Sequence, residues 1–470
     1  MIILGTNSIK DTGYDVANSV RMDGSSAYMT RTMGTPTDAD KYTFSFWCKR
    51  SKLGVQQSIF RSTNGNNDSH VTFQADDTLR FEEYGGLATI GKLQTTQVFR
   101  DVSAWYHIVL IYDSGNATAG NRMRMYVNGT EVTSFGTDTN PSQDADSFFN
   151  KSGEPLHFGR TDYSGGGNYF SGYVAELVMV DGQALTPSSF GEFDEDSPTI
   201  WKPKNVSGLT FGDNGFYLDF EDSGDLGDDE SGNGNDFTEY NLAAADQATD
   251  TPTNNFCTMN PLDNYYASST FSEGNCHVLT NSSNSSFNTS TFAVSSGKWY
   301  WEAKIGSNTT VNNMFGVADR VTSSTSETVG TFTTSYSLLG TGRKYENNSY
   351  TDSWGDSYTT NDIMSVALDL DNNRLFFAKN GTWQNSGDPT SSTGAISITA
   401  AASTSNGVYF PAFGDFSGSD DTDWLINFGG CPAFTISSGN ADANGYGNFE
   451  YSVPSGYLAL CTKNLGSDGG

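Results

Sequence analysis

Residues 361–383 read NDIMSVALDLDNNRLFFAKNGTW, and this stretch decides the fold. Met364, Val366, Leu368 and Leu370 recur at every second position, the pattern of a strand with one buried side. Asp371-Asn372-Asn373 interrupts the run with side chains that favour tight turns. Arg374 to Lys379 (RLFFAK) is a second strand, and Asn380-Gly381 supplies the two positive-φ residues of a type I′ hairpin before Thr382-Trp383. The N-terminal half repeats this grammar: WYHIVLIYDSG from Trp105, then NRMRMYV, then Asn128-Gly129 and Thr130-Glu131-Val132. Two halves with one local pattern imply two antiparallel sandwiches, not an enzyme with a cofactor lobe.

Composition agrees. A chain of 470 residues exceeds one ordinary core, so two to three domains are expected. Glycine is abundant at 51 residues and aromatics reach 13%, while Ser, Thr, Asn and Asp fill the gaps between short apolar runs. Many short strands joined by polar turns give this profile, and the fold class is all-β. The net charge of −30 excludes nucleic acid as a partner, because phosphates require clustered Lys and Arg. It disfavours anionic membranes too, and it reads first as solubility. Cys48, Cys257, Cys276, Cys431 and Cys461 are far apart and lack any CxxC pair, so no zinc site or dense disulfide framework is encoded. One bridge among the last four is compatible with the spacing, and assembly in a cytoplasm is the simplest reading. Met1-Ile2-Ile3-Leu4 is too short for a signal-peptide core, and no later run is long enough to insert into a bilayer.

Along the chain, residues 1–15 form a short arm. Strand-sized runs come next: SVRMDGSSAYMTRT from Ser19, DKYTFSFWCKRS, SIFRS, HVTFQA and TLRFEEY. After PLHFGR and a glycine bend at residues 164–168, SGYVAELVMVDGQAL closes a unit over residues 16–198. Thr186-Pro187-Ser188-Ser189-Phe190 predicts a capped single helical turn. Residues 199–262 are an acidic Gly/Asn-rich connector, and Phe216, Tyr217, Leu218, Phe220 and Phe237 require that it be structured. Residues 263–470 make the second sandwich.

Specific pieces resemble known families. Val20-Arg21-Met22-Asp23-Gly24, Trp105-Tyr106-His107-Ile108-Val109, Tyr126-Val127-Asn128-Gly129 and Gly172-Tyr173-Val174-Ala175-Glu176-Leu177 come in this order, followed by Asp181-Gly182-Gln183-Ala184-Leu185. Together they are similar to laminin-G-like, concanavalin A-like jelly rolls. Gly297-Lys298-Trp299-Tyr300-Trp301-Glu302, Met314-Phe315-Gly316-Val317, the stretch through Asn380-Gly381, Tyr409-Phe410-Pro411-Ala412-Phe413 and Ile426-Asn427-Phe428-Gly429 resemble a SPRY domain. With Asp250-Thr251-Pro252-Thr253-Asn254-Asn255-Phe256 between them, and the tail from Tyr451 to Leu460, the order resembles virion proteins of tailed bacteriophages. The chain departs from that pattern at Cys431 to Gly447, a longer polar insertion.

Chemistry is sparse. Glycoside hydrolysis needs two opposed carboxylates. The nearest acidic run, Glu192-Phe193-Asp194-Glu195-Asp196, reads as a loop before Ser197-Pro198. His70, His107, His157 and His277 lie in no GxSxG or HExxH context, and His107 shares a strand face with Trp105, Val109 and Ile111 as a satisfied core or edge residue. Gly165-Gly166-Gly167 opens no helix, so no phosphate loop is present. The chain is therefore read as non-enzymatic, with no required cofactor. Calcium has one address: Asp229, Ser231 and Asn233 place oxygens at the first, third and fifth positions of a loop with Gly234 at the sixth. Tyr240 stands where the twelfth-position carboxylate belongs, so a solvated Asx-rich turn is the stronger reading. Asp369, Asp371 and Asn373 read as strand-end turn chemistry, and Asp420, Asp421 and Asp423 as an exposed loop. For ligand binding, Tyr163 and Tyr169 flank the glycine bend, while Tyr350, Trp354 and Tyr358 sit in a polar stretch where aromatic rings can stack on sugars.

The phage resemblance implies a virion-surface structural protein, assembled in the host cytoplasm and contacting other virion proteins. Its expected role is a tail-fibre or tail-tip adhesin that recognises a bacterial surface glycan or protein. A capsid decoration or head-fibre protein is the alternative, and a bacterial lectin-like adhesion module the second. Such appendages imply a homotrimer, although no heptad or shaft repeat encodes one.

Overall fold

In a computed structural model the described residues are 13–161, 166–264, 269–281, 285–308, 311–320, 327–416 and 421–468. The chain divides into two compact units between Thr253 and Asn254. Among the described residues each unit is built on two large sheets, antiparallel except where Lys298–Asn308 pairs in parallel with Leu458–Ala459, and the one α-helix is Thr462–Asp468.

In the first unit one sheet centres on Lys41–Arg50, flanked by Trp105–Asp113 on one side and Ser171–Asp181 on the other. The second sheet runs in order through Phe135–Thr139, Ala88–Val98, Thr78–Gly85, Asn67–Phe73, Gln57–Asn64, Pro155–Phe158, Tyr28–Thr32 and Thr238–Tyr240. Between them Phe44, Phe60, Phe149, Phe158, Leu110 and Met125 fill the core. The segment expected to be a connector completes this unit. Phe216–Leu218 pairs with Ser171–Asp181, Thr238–Tyr240 with Tyr28–Thr32, and Gln247–Ala248 with Ser19–Asp23. Phe216, Tyr217, Leu218, Phe220 and Phe237 are all buried, so the division falls nearer residue 253 than 262.

In the second unit Lys298–Asn308 pairs with Ile363–Asp369 and Thr422–Asn427, and Ile363–Asp369 with Arg374–Lys379. The facing sheet includes Ser286–Thr289, Phe410–Asp415, Asn313–Ala318 and Ser335–Leu339. Met364, Val366, Leu368 and Leu370 enter the core with Trp299, Trp301, Phe315 and Trp424. The opposite side of that strand is also buried. Ala367 packs under Tyr300, Phe376, Phe449 and Tyr457, because the polar insertion after Cys431 returns across the outer face. The first unit does the same with Val109, Ile111 and Val178, which lie under Phe190, Val206, Phe211 and Tyr217.

Three local expectations change. Residues 191–193 are a strand, paired with Trp201–Pro203, where a loop was expected. Pro187–Ser189 is a single 3-10 turn with no side-chain cap; the Thr186 hydroxyl meets Ser188 instead, 3.0 Å away. All five cysteines are buried, in keeping with the absence of a disulfide framework in their spacing. Asp423 belongs to the strand Thr422–Asn427 and not to a loop, while Asp420 lies outside the described residues, as does most of the N-terminal arm.

The two Asn-Gly hairpins are built alike. Asn128 and Gly129 have φ of 47° and 75°, and Asn380 and Gly381 have 48° and 78°. Asn128 Oδ1 accepts the His107 N–H at 2.8 Å and Asn380 Oδ1 the Ile363 N–H at 2.9 Å. Each glycine also carries a ring: a Cβ on Gly129 would stand 2.3 Å from Trp201, and one on Gly381 2.7 Å from Tyr451. Strain and overlap therefore act together, and Gly129→Ala or Gly381→Ala should each cost about 2 kcal/mol or more. Urea unfolding of each variant against the parent measures this directly.

Candidate functional site

Buried carboxylates come first, because they are where acid–base chemistry would reside. Asp181 accepts the Thr37 and Asn214 N–H groups at 2.6 and 3.1 Å and the Asn150 side-chain amide at 2.6 Å. Glu302 accepts the Glu450 and Tyr451 N–H groups and the Tyr300 hydroxyl, each at 2.8 Å. Asp442 accepts the N–H groups of Asn444, Tyr446 and Ala459, each at 2.9 Å. Glu83 accepts hydroxyls of Tyr42, Ser69 and Ser147 and the Phe148 N–H. Burial holds Glu83 and Glu302 above the usual carboxylate range despite these donors. Each of the four is a loop anchor, with its lone pairs committed to the protein itself.

Histidine 107 is likewise structural. Trp201 Nε1–H donates to its Nδ1 at 2.9 Å, which leaves Nε2–H to donate to Ser45 Oγ at 2.9 Å. Burial pushes its pKa down to about 3, so the ring is neutral at physiological pH.

The acidic run after Phe190 holds no opposed pair. Asp194 Oδ1 accepts the Ser197 and Asp196 N–H groups at 2.8 and 3.1 Å, and Lys202 lies 3.4 Å from its other oxygen. The calcium-like loop is closed by its own donors. Asp229 accepts N–H groups from Tyr217, Ser231 and Asn235 at 2.9, 2.9 and 2.8 Å and the Ser231 hydroxyl at 2.7 Å. The Asn233 amide is spent on the carbonyls of Gly212 and Gly215 at 2.7 and 2.9 Å. Among the described residues no cluster of three His, Cys, Asp or Glu side chains could hold a metal ion. Asp369 accepts the Asn372 N–H at 3.0 Å, the turn chemistry expected of it, whereas Asp371 accepts the N–H of Gly297, 74 residues earlier, at 2.9 Å.

The aromatic candidates separate. Tyr163 lies outside the described residues. Tyr169 is half-buried, with its ring 6.5 Å from Tyr28; Tyr28 also carries Tyr240 stacked at 4.4 Å and the Arg160 guanidinium at 3.7 Å. Tyr358 is a core residue and not a loop contact: it is 1% exposed, and its hydroxyl donates to the carbonyls of Leu338 and Asn313 at 2.8 and 3.1 Å. Tyr350 is 41% exposed, stacked on Tyr345 at 4.4 Å and within 6.4 Å of Phe416, itself 40% exposed. Trp354 is buried at 8%, yet its rim lines a groove.

That groove, about 940 Å³, is walled by three loops carrying Arg343, Asp352, Trp354, Asp356, Trp383 and Gln384. Arg343 bridges to Asp352 at 2.6 Å and also lies over the Tyr350 ring, 5.8 Å from its centre, so groove and aromatic patch are continuous. Gln384 is held rigid: its Oε1 accepts the Asp356 N–H at 2.7 Å and its Nε2 donates to the Thr382 carbonyl at 2.9 Å. Ser353, Asn385 and Ser386 line the same groove with φ of 55°, 54° and 54°. Left-handed non-glycine residues persist only where their surroundings impose them, and they concentrate at binding sites. Sequence reading found Tyr350 and Trp354 here but missed Arg343, Trp383, Gln384 and Phe416. The Asn380-Gly381 turn, which projects Trp383 and Gln384 from the sheet end, was the available signal.

Residues 23–189 match the family model described as the concanavalin A-like lectin/glucanases superfamily, and residues 298–414 match the SPRY domain. The chain therefore carries one domain of each kind. No curated protein matches it. A native heptameric SAP-like pentraxin from Limulus polyphemus is similar at 19% identity and TM-score 0.28, over 37% of this chain and 80% of that one. The SPRY domain of human HERC1 is similar at 18% and 0.25, over 32% and 86%. A putative carbohydrate binding protein from Bacteroides ovatus is similar at 16% and 0.32, over 49% and 61%.

One further buried acid is met by phenol hydroxyls. Glu176, at φ 50° in the bulge of Ser171–Asp181, faces the hydroxyls of Tyr217 and Tyr14 at 3.0 and 3.3 Å. Burial, reinforced by Asp219 and Glu221, pushes its pKa up from 4.5 to about 8. The folded state thus retains a proton that the unfolded chain releases above pH 4.5. Stability is full below that pH and falls as pH rises to about 8, by up to about 1.4 kcal/mol per unit. Glu176→Gln should flatten thermal-melting profiles across this window and exceed the parent at pH 8.

Proposed function

We propose that this chain is a binding protein of a tailed-phage virion surface, a tail-fibre or tail-tip component that engages a bacterial surface glycan through its SPRY unit. The observation that carries the reading is the chemistry of the groove. The Trp383 indole, bordered by the rim of Trp354, offers an apolar face for sugar C–H groups, and Arg343, Asp352, Asp356 and Asn385 offer hydrogen bonds to hydroxyls. The left-handed loop residues hold this surface in place, so little ordering entropy is lost on binding. The virion placement rests on the order of sequence pieces from the jelly roll through the SPRY unit to the tail. The chain is not read as a polysaccharide hydrolase, since its buried carboxylates serve loops.

Purified protein should bind host cells or extracted surface polysaccharide. Trp383→Ala and Arg343→Ala should each weaken binding by about tenfold, the scale of one lost ring stack or charged hydrogen bond, while melting stays at the parent value. Unchanged affinity in both variants would place recognition elsewhere.

A further inference from the structure

Outside the groove, the nine-stranded sheet of the second unit brings a serine, a histidine and an aspartate into one line. Ser272 stands opposite His277 across the hairpin formed by Thr270–Ser272 and His277–Leu279. The next strand, Thr422–Asn427, sets Leu425 opposite His277 and Asp423 opposite Leu279. Side chains alternate along strands, so Val278 and Trp424 enter the core while Ser272, His277 and Asp423 share the outer face.

The hydrogen bonds have a direction. His277 Nε2–H donates to Asp423 Oδ1, which leaves Nδ1 of the neutral ring to accept the Ser272 Oγ–H at 2.8 Å. His107 provides the contrast. There Trp201 occupies Nδ1 and the ring donates to Ser45, so that histidine cannot take the serine proton. At His277 a carboxylate holds the same Nε2–H tautomer but leaves the unprotonated Nδ1 facing the serine, the arrangement a general base requires. The His277 and Asp423 side chains are 25% and 24% exposed, open to a reagent in a way that buried His107 is not. Two further features hold the arrangement. Glu273, Gly274 and Asn275, with φ of 51°, 62° and 69°, make a left-handed turn that folds Ser272 back onto His277. Gly306 leaves the space Asp423 occupies, since a Cβ there would stand 2.4 Å from its Oδ2.

We propose that Ser272, His277 and Asp423 form an acyl-transfer relay that hydrolyses small esters at the outer face of this sheet. Ser272 Oγ bonds to the ester carbonyl carbon as its proton passes to His277 Nδ1. The carbon–oxygen bond to the alcohol breaks, and that proton leaves with the alcohol. Water then adds to the acyl-serine, giving its proton to Nδ1, and the carboxylic acid departs as Ser272 recovers a proton. The sum is ester plus water to acid plus alcohol. A relay on an open strand face suits a small acyl group on a bulky carrier.

The probes are a fluorophosphonate and 4-nitrophenyl acetate, used on the full chain. Peptide mass spectrometry should find the phosphonyl adduct on Ser272. Ser272→Ala should abolish that adduct and the 4-nitrophenolate burst, and His277→Gln and Asp423→Asn should slow adduct formation at least tenfold with unchanged melting. Absence of a Ser272 adduct in the parent at saturating reagent, or an undiminished rate in His277→Gln, would overturn the relay. Glycan binding is not read by this assay, so either inference can fail alone.

Discussion

Loops in an all-β chain contain N–H groups with no ladder partner, and where such groups are buried something must accept them. This protein meets that demand with carboxylates. Asp181 and Glu83 gather loop donors in the first unit, and Glu302 and Asp442 do so in the second. A carboxylate has more acceptor sites than any other side chain, so one buried acid can anchor segments far apart in sequence. Burial of the charge is tolerated because the donors replace its lost water. Part of the large acidic excess is therefore architectural and not solvent-facing.

The same constraint shapes the sheet faces. A strand such as Ile363–Asp369 is apolar enough to be covered twice, and the chain supplies the second cover from its own later segment. Glu302 fixes that cover at Glu450 and Tyr451 while Phe449 packs edge-on against Tyr300, with ring centres 5.0 Å apart. In the first unit Tyr217 and Phe211 perform the equivalent covering. Insertions that look polar and loose in sequence thus carry one or two rings that seal an outer face.

Legibility in the sequence was local. Alternation at Met364 to Leu370 and the two Asn-Gly pairs specify strands and hairpins through nearest-neighbour conformational preference. The covers were not legible, because Phe449 sits alone within a Gly/Asn-rich run and its burial depends on Tyr300, distant in the chain. Tyr350, Trp354 and Tyr358 are evenly spaced aromatics of similar chemistry, yet one is exposed, one borders a groove and one is in the core. The carbonyls of Asn313 and Leu338 decide the fate of Tyr358, and no pattern around residue 358 encodes them. Left-handed Ser353 and Ser386 were equally silent, since serine does not announce that conformation as glycine does.

Loop ends, unlike the covered parts of the sheets, leave side chains open to a partner. Where a sheet face is sealed by its own chain, it presents the cover and not the strand. The hairpin ends are different: Asn380-Gly381 is locked by hydrogen bonds to Ile363 and by the Tyr451 ring, so Trp383 and Gln384 just beyond it project from a rigid base. A side chain on such a base loses little freedom when a ligand arrives. Ser353, Asn385 and Ser386 hold left-handed backbone around the groove, which their loops impose on them.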